Sequence, residues 1–464
     1  MKKTIKEDFK SLDKYQLKAV TSNRKKILVL AGAGSGKTYT IVSRIRYLIK
    51  YRNVKPSDIL CISFTNDAVN KLKEDLNNKD VEVLTFHKLA LKIIGRKKEV
   101  LAEDMLTDII INTFSNDKLF GLYEMERFDM YNLVKTFINL FKSNNYSLDK
   151  FYTFINKANT KDKMLLKEIM KCYICYESYL NKEGLMDFND MINIAINKLD
   201  KVNLKYKHII IDEYQDTSLT KFLLIKKIIS INKSNLFAVG DDFQSIYRFT
   251  GSNIKIITRF KKYFPFSKII KLKYTYRNSK ELVFIAGKFI MKNKSQIRKK
   301  MKSKIRENNP VKIIYYDDLT SSINKVIEKE EIDDLFVLSR NNKDLENINI
   351  KGIKYKKMSV HKSKGLQAKY VFLINVNSNK NGFPNKIEDH KILKYVNNYK
   401  IKNNELYLYV DDKCEIGDIF NNSKNEKIIY KVKKYISDHS INFSGTKVIL
   451  LLSGLMLGTV YLNS

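Results

Sequence analysis

An apolar run that ends in a glycine-rich loop constrains this chain more than any other feature. Lys26–Ala31 (KILVLA) has the character of a buried strand, and Ala31–Thr38 continues it as AGAGSGKT. A helix is predicted from Lys37 onward. Gly32, Gly34 and Gly36 let the backbone turn its N–H groups onto phosphate oxygens. Lys37 is placed to reach the β- and γ-phosphates, Thr38 to hold Mg²⁺, and the opening turn of the helix favours an anion. The strict phosphate-loop pattern has glycine where this chain has Ala31. With strand, loop, Lys-Thr and helix all in register, a chance glycine-rich turn is the weaker reading. The expected nucleotide-binding residues are therefore Ala31, Gly32, Ala33, Gly34, Ser35, Gly36, Lys37 and Thr38.

A phosphate loop needs a second carboxylate for its metal. Ile209–Asp216 reads IIIDEYQD, an apolar strand that delivers Asp212 beside the loop. Asp212 is the expected second Mg²⁺ residue by outer-sphere contact, and Glu213 the residue that orients and deprotonates a water. That pairing points to nucleoside triphosphate hydrolysis rather than transfer to a bound acceptor. A phosphate-loop kinase is disfavoured on the same ground.

Further strands are predicted at Asp58–Phe64, 81–85, His208–Asp212, Leu236–Gly240 and 268–272. Alternation with helical stretches implies a parallel sheet covered on both faces. Between about Gly95 and Gly184 the period changes. Met130, Leu133, Val134, Phe137, Ile138 and Phe141 recur at helical spacing, which predicts an inserted helical subdomain. A second α/β pattern starts near Tyr274, with strands expected at 311–316, 335–339 and 370–376. The fold class is thus α/β. Its expected division is 1–94 with 185–272, the helical insert 95–184, a second α/β domain 273–446 that weakens after about 390, and an apolar C-terminal tail at 447–464.

The chain has 464 residues, of which 44% are hydrophobic and 29% charged, enough for several cores and too apolar for wholesale disorder. Lys and Arg number 86 against 50 Asp and Glu, a net charge of +36. A polyanion partner is one reading of that surplus. Codon bias is the other, because Lys, Asn and Ile crowd the whole chain and arginines number only about a dozen. Four scattered cysteines exclude a disulfide scaffold and suit a reducing, cytoplasmic compartment. The pair Cys172–Cys175 has helical spacing but no second pair, so helix packing is expected and zinc is not. The N-terminus lacks the apolar segment of a secretory signal. The run 447–462 (KVILLLSGLMLGTVYL) is short for a membrane span, so a buried strand or helix is expected there and a membrane anchor is the minority reading.

The string Asp212–Thr217 (DEYQDT) resembles superfamily 1 helicases of the UvrD/Rep type, and other motifs follow in that family's order. Leu12–Val20 (LDKYQLKAV) looks like the Q motif, Ile62–Leu76 (ISFTNDAVNKLKEDL) like motif Ia, and Thr85–Ala90 (TFHKLA) like Ib. Val239–Gly251 (VGDDFQSIYRFTG) resembles motif III, Tyr274–Ser279 (YTYRNS) motif IV, and Met358–Val371 (MSVHKSKGLQAKYV) motif V. The wording of IYRFTGSN, KGLQAKYV and NGFPNKIEDH is similar to the helicase IV-like branch. The resemblance spans about Leu12 to His390.

This resemblance implies two RecA-like domains with ATP and Mg²⁺ in the cleft between them. It also implies 3′-to-5′ movement on single-stranded DNA, with 3′-tailed duplexes as substrates. Gln16 would read the adenine edge, Gln244 would sense the γ-phosphate, and Arg277 would reach across as an arginine finger. Gly365 of motif V would lie by the nucleotide. Phe64, Thr65, Asn66, Phe86, His87, Tyr247, Phe249 and His361 would contact DNA, with core filling the competing reading for Phe64 and Phe86. Only about eighty residues separate Arg277 from Met358, so the family's 2B insertion is absent or minimal.

The pattern departs at motif VI, whose arginine is the family's second finger. The nearest segment, Asn404–Lys413 (NELYLYVDDK), has no arginine, and neither does any residue after Arg340. Three readings follow: a working ATPase that relies on Arg277 and a lysine, a degenerate homologue that still binds ATP and DNA, and a truncated or frame-shifted product. A nucleotide-gated DNA clamp without unwinding is the rival class of function.

Overall fold

The computed structural model describes residues 2–95, 104–293, 296–307, 310–315, 318–375, 390–396 and 448–453. Its first sheet is built from β1 (Lys26–Leu30), β2 (Ile59–Ser63), β3 (Glu82–Thr85), β4 (His208–Ile211), β5 (Asn235–Gly240) and β6 (Lys268–Lys271). The order is β3-β2-β4-β5-β1-β6, and every pairing is parallel. The apolar runs are continuous because both faces are covered. Leu28, Leu30, Leu60, Ile62, Ile209 and Ile211 pack on one side. Ile27, Val29, Ile59, Cys61 and Ile210, the alternate positions, pack on the other.

The carboxyl ends of β1, β5 and β4 lie side by side in that order. The phosphate loop leaves β1, motif III leaves β5 and the Asp212–Glu213 pair leaves β4, so three distant stretches of sequence meet at one sheet edge. This is the crevice in which open parallel sheets hold ligands.

The insert is helical throughout its described residues, with helices at Asp104–Thr113, Lys118–Tyr123, Arg127–Ser143, Leu148–Lys157 and Thr160–Lys182. The six residues whose spacing predicts a helix, Met130 to Phe141, are all fully buried. Cys172 is buried in this core and Cys175 is exposed. Asp187 caps the returning helix Phe188–Lys198 through a capping box with Asp190. The nearly buried Lys142 is held by Asp187 at 2.7 Å and Asp190 at 2.9 Å, which ties the insert to that helix.

The second sheet contains β7 (Val311–Tyr315), β8 (Asp334–Ser339), β9 (Lys354–Ser359), β10 (Tyr370–Leu373) and β11 (Val448–Ser453), in the order β7-β11-β10-β8-β9. β8 runs parallel to β9 and β10, whereas β11 is antiparallel to both β7 and β10. This sheet is therefore mixed, where sequence alternation alone implies a parallel one. Residues 448–453 of the apolar run at 447–464 are not set apart as a tail but lie inside the sheet. β9 is unexpected from sequence because KYKKMS shows no apolar alternation; it is an edge strand whose lysines face water. The motif VI-like segment at 404–413 lies outside the described residues.

One further segment joins the two halves. Ile392, Leu393 and Val396 are buried in the core of the helical insert. Lys394 and Tyr395 both reach Asp162, and Asn144 donates to the Val396 carbonyl at 3.2 Å. Among the described residues no helix is long and apolar enough to cross a membrane.

Candidate functional site

The phosphate loop is shaped by two left-handed glycines, Gly34 with φ of 70° and Gly36 with φ of 75°. Ser35 closes the turn, donating from its hydroxyl to the Gly32 carbonyl at 2.8 Å. Gly36 precedes the helix Lys37–Arg52, so Lys37 and Thr38 sit in its first turn. A side chain at Gly36 would meet Gln16 Nε2 at 2.7 Å. Gln16 is buried. Its amide donates to the Ser35 carbonyl at 3.0 Å while its oxygen accepts from the Asp13 N–H, completing a capping box. The glutamine expected to read an adenine edge thus braces the loop backbone.

Lys37 Nζ lies 2.8 Å from Glu213 Oε1 and 2.7 Å from Oε2. Burial opposes the charge on Lys37, but Glu213, Asp212 and Asp241 outweigh it and raise its pKa above the ordinary lysine value. Burial also works against the Glu213 carboxylate. Lys37, Lys364 and the Gln215 amide win, and hold its pKa down at about 2. Glu213 occupies a left-handed backbone conformation, φ 46°, which is uncommon away from glycine and aims its side chain back across the loop. Asp212 is pushed up to about 7 by burial and by the neighbouring Glu213 charge. One of its oxygens accepts the Glu213 N–H at 2.8 Å, and the other has no hydrogen bond among the described residues. Such a set of buried hard-oxygen donors beside the Thr38 turn fits a Mg²⁺ ion.

Motif III and motif V close the site from two sides. Gln244 donates to Asp241 Oδ2 at 2.7 Å, and the Asp241 N–H donates to Gln215 Oε1 at 2.9 Å. Gln215 in turn donates to Glu213 at 2.6 Å, so Gln244 is linked to Glu213 through two residues. Lys364 from motif V is nearly buried; it pairs with Asp216 and donates to the Gln244 carbonyl at 2.9 Å. Burial, reduced by Lys364 and reinforced by Glu213, lifts Asp216 to about 6.

Motif IV lies directly on the phosphate loop. The Tyr276 N–H donates to the Gly34 carbonyl at 2.9 Å. A Cβ at Gly34 would stand 2.2 Å from Arg277 Cβ and 2.7 Å from Thr275 Oγ1, so only glycine permits this approach. Burial lowers the pKa of Arg277, and the Glu213 charge counters that effect. Arg277 is therefore within the electrostatic field of Glu213.

The residues expected at DNA separate into groups. Thr65 and Asn66 are exposed at the start of the helix Asn66–Leu76, which Thr65 caps. Phe64 is partly buried and meets Phe86 edge-on, their centroids 5.2 Å apart. Phe86 is only 1% exposed and belongs to the sheet core, which corrects its assignment as a DNA contact. The first residue of the helix Phe86–Ile94 faces inward, and position at a strand end alone does not reveal that. His87 packs on Phe188 at 4.9 Å; burial, then Lys221, pull its pKa down to about 4, so it is neutral. The Tyr247 hydroxyl donates to the His361 carbonyl at 3.1 Å, its ring stacks on His361, and the Lys364 ammonium stands 4.4 Å from the ring centre. Phe249 lies in the turn Arg248–Thr250, and its side chain is outside the described set. Gly365 takes a left-handed φ of 85° just after Lys364.

Sequence reasoning passes over Lys299. Its ammonium is nearly buried, pairs with Asp241 and with Asp242 at 2.6 Å, and donates to the Ala31 carbonyl at 3.1 Å. No motif marks it, because one lysine among QIRKKMKSK carries no distinguishing signal. Lys364 was findable, since it stands inside the motif V string.

Residues 12–265 match the UvrD/REP helicase N-terminal domain. Over 333 residues, 69% of this chain and 51% of the relative, the sequence is 30% identical to the ATP-dependent DNA helicase Rep of Buchnera aphidicola subsp. Acyrthosiphon pisum (strain APS). It is 32% identical over 327 residues to Rep of Buchnera aphidicola subsp. Schizaphis graminum (strain Sg), covering 65% of this chain and 47% of that one. It is 29% identical over 320 residues to the ATP-dependent DNA helicase PcrA of Bacillus subtilis (strain 168), covering 66% and 42%. The chain spans about half the length of these curated relatives. A phosphate loop, a paired Asp-Glu, a glutamine relay and an arginine from the following segment converge on one sheet edge, in a chain matched over more than half its length, and this chain belongs to the UvrD/REP helicase family.

Proposed function

We propose that this protein is an ATP-driven motor on single-stranded DNA, moving 3′ to 5′ and acting on 3′-tailed duplexes. The observation that carries this reading is the convergence on Glu213. Lys37 of the phosphate loop holds it, Gln215 connects it to motif III, and Lys364 and Arg277 from the second half bear on it electrostatically. Hydrolysis at such a centre depends on how the two halves meet, which a motor requires. The names of the Rep and PcrA relatives support the same class of activity.

In this reading ATP phosphates take over the Lys37 ammonium. Glu213 then loses the largest charge that holds its pKa down and becomes a better base. It takes the proton of the attacking water, whose oxygen bonds to the γ-phosphorus as the bond to the bridging oxygen breaks, giving ADP and phosphate. Bound Mg²⁺, held by Thr38 and Asp212, would neutralise charge on the phosphate oxygens. Gln16, Ala31, Gly32, Ala33, Ser35, Gly36 and Gly365 shape the pocket. Thr65, Asn66, Phe64, His87, Tyr247, Phe249 and His361 form the DNA floor.

Glu213→Gln is expected to bind Mg·ATP and DNA while slowing hydrolysis about 10²–10⁴-fold, because an amide cannot take the proton. Loss of nucleotide binding in that variant, followed by fluorescent-nucleotide titration, contradicts the assignment. Binding to single strands is expected to be sequence-tolerant and to fall with salt, with a log–log slope of about −0.7 for each phosphate neutralised. Tyr247→Ala is expected to cost about 1–3 kcal/mol of that binding if the ring stacks on a base. A flat salt dependence would assign the basic surplus to codon bias.

A second reading is a nucleotide-gated DNA switch without unwinding. It is favoured by one observation: no arginine occurs among residues 341–464, the stretch in which the resemblance places a second finger. Steady-state ATPase measured with and without single-stranded DNA separates the two. A motor turns over continuously when DNA is added, and a switch binds ATP and stalls.

A further inference from the structure

Lys221 breaks three local rules at once. It is the third residue of the helix Leu219–Asn232, where the helix dipole favours acids and disfavours a cation. It is partly buried, and burial pulls its pKa down to about 8. Among the described residues its ammonium has no hydrogen bond and no ion pair. Asp216 is the one carboxylate that bears on it, and that group is already paired with Lys364. The ammonium instead lies 5.0 Å from the Phe64 ring centre and 5.7 Å from that of Phe86. Two aromatic faces soften the desolvation of a cation but do not neutralise it.

The surroundings say what does. β2 and β3 end beside this lysine, and the helices that follow them begin at Asn66 and Phe86. Three helices, counting Leu219–Asn232, thus begin at one sheet edge; Thr65, Thr85 and Ser218 cap them, and the positive ends of their dipoles remain there. His87 on the facing helix is neutral, so it neither pairs with the ammonium nor adds a second cation beside it. Thr65 and Asn66 lie exposed alongside. A cation held without a partner and against a helix dipole is complementary to an anion. Positions where local rules fail without internal compensation are where function is expected.

We propose that Lys221 binds a backbone phosphate of single-stranded nucleic acid at the Phe64 position, as a contact additional to the residues named above. This inference rests on the reading of the protein as a single-strand binder. The ring of Phe64 would take a base while the lysine beneath it takes the adjoining phosphate, so one pair of residues grips both parts of a nucleotide.

The test is fluorescence anisotropy with a labelled oligothymidylate across a salt series, on the full chain and on Lys221→Gln. The variant is expected to bind about tenfold more weakly at low salt and to shallow the log–log slope by about 0.7, the share of one phosphate. Its melting temperature is expected to be no lower than that of the natural chain, since an unpaired charge has been removed. Lys221→Met, which also lacks the charge, is expected to give the same slope. An unchanged slope in both variants, with the natural chain still binding, overturns the proposal. A lowered melting temperature with unchanged affinity does so too and makes Lys221 a packing residue. Failure of the natural chain to bind the oligonucleotide at any salt instead removes the single-strand reading, and this inference goes with it.

Discussion

Lys37→Ala is expected to reduce ATP hydrolysis below about one part in 10³ of the natural rate. Three effects act together. The ammonium that would reach the β- and γ-phosphates is lost from the first turn of the helix Lys37–Arg52. Glu213, partly buried and ionised, loses the partner 2.7 Å away that does most to hold its pKa down. Asp212 also loses the nearby charge that favours its ionised form, while Asp241 keeps Lys299, so the loop faces uncompensated carboxylate charge that repels a triphosphate. Coupled phosphate-release measurements with saturating Mg·ATP and single-stranded DNA give the result directly. Undiminished turnover would place the ATPase site somewhere other than this loop. Lys37→Arg is not expected to rescue the rate, because the glycine loop is shaped around a compact ammonium.

Arg277→Ala is expected to lower DNA-stimulated turnover about 10³–10⁵-fold while leaving ATP binding within a few-fold of normal. Three other arginines follow it and are differently placed, Arg298 being exposed on the surface. Arg306 pairs with Glu281, and Arg340 lies 3.0 Å from His361 Nδ1. Arg277 stands against Gly34 and feels the Glu213 charge, so its guanidinium is the one positioned for charge that develops on the transferring phosphoryl group. No arginine occurs among residues 341–464, so no second finger from that stretch backs it up. The natural chain itself should therefore be a slow motor with weak unwinding. Rapid unwinding that survives Arg277→Ala would require a cation not yet assigned, and Lys364 is the first to test, since it already reaches Asp216 and the Gln244 carbonyl.

The first sheet was legible because each of its strands is a short apolar run followed by a turn or cap. The helical insert was legible because its apolar residues keep one period across Met130 to Phe141. β9 was not, since an edge strand has no need of apolar residues on both faces and its lysines resemble the rest of the chain. The place of β11 was not, because strand order depends on pairings across most of the chain and no local pattern encodes them. At the site, Lys37, Asp212 and Glu213 were readable from spacing, since phosphate and metal chemistry tolerate few alternatives. The bracing role of Gln16 and the inward turn of Phe86 were hidden, because an amide beside a cap and an aromatic at a helix start each suit two environments. Lys299 and Lys221 were hidden for a simpler reason: in so lysine-rich a chain, a lysine that matters looks like any other.

The pairing of β1 also bears on how the protein is made. The strand that carries the phosphate loop lies between β5 and β6, partners that the ribosome delivers about 200 residues later. At about 5–20 residues per second, this strand waits roughly 10–40 s with both edges unpaired. Parallel pairing over such a separation is slow to nucleate, and an apolar strand left open is prone to wrong partners. The helical insert, made of local contacts, can form during that wait and holds the growing chain compact between the early and late strands. Synthesis in the presence of a holdase chaperone should therefore raise the yield of folded protein, and the gain should come from the interval before β5 and β6 emerge.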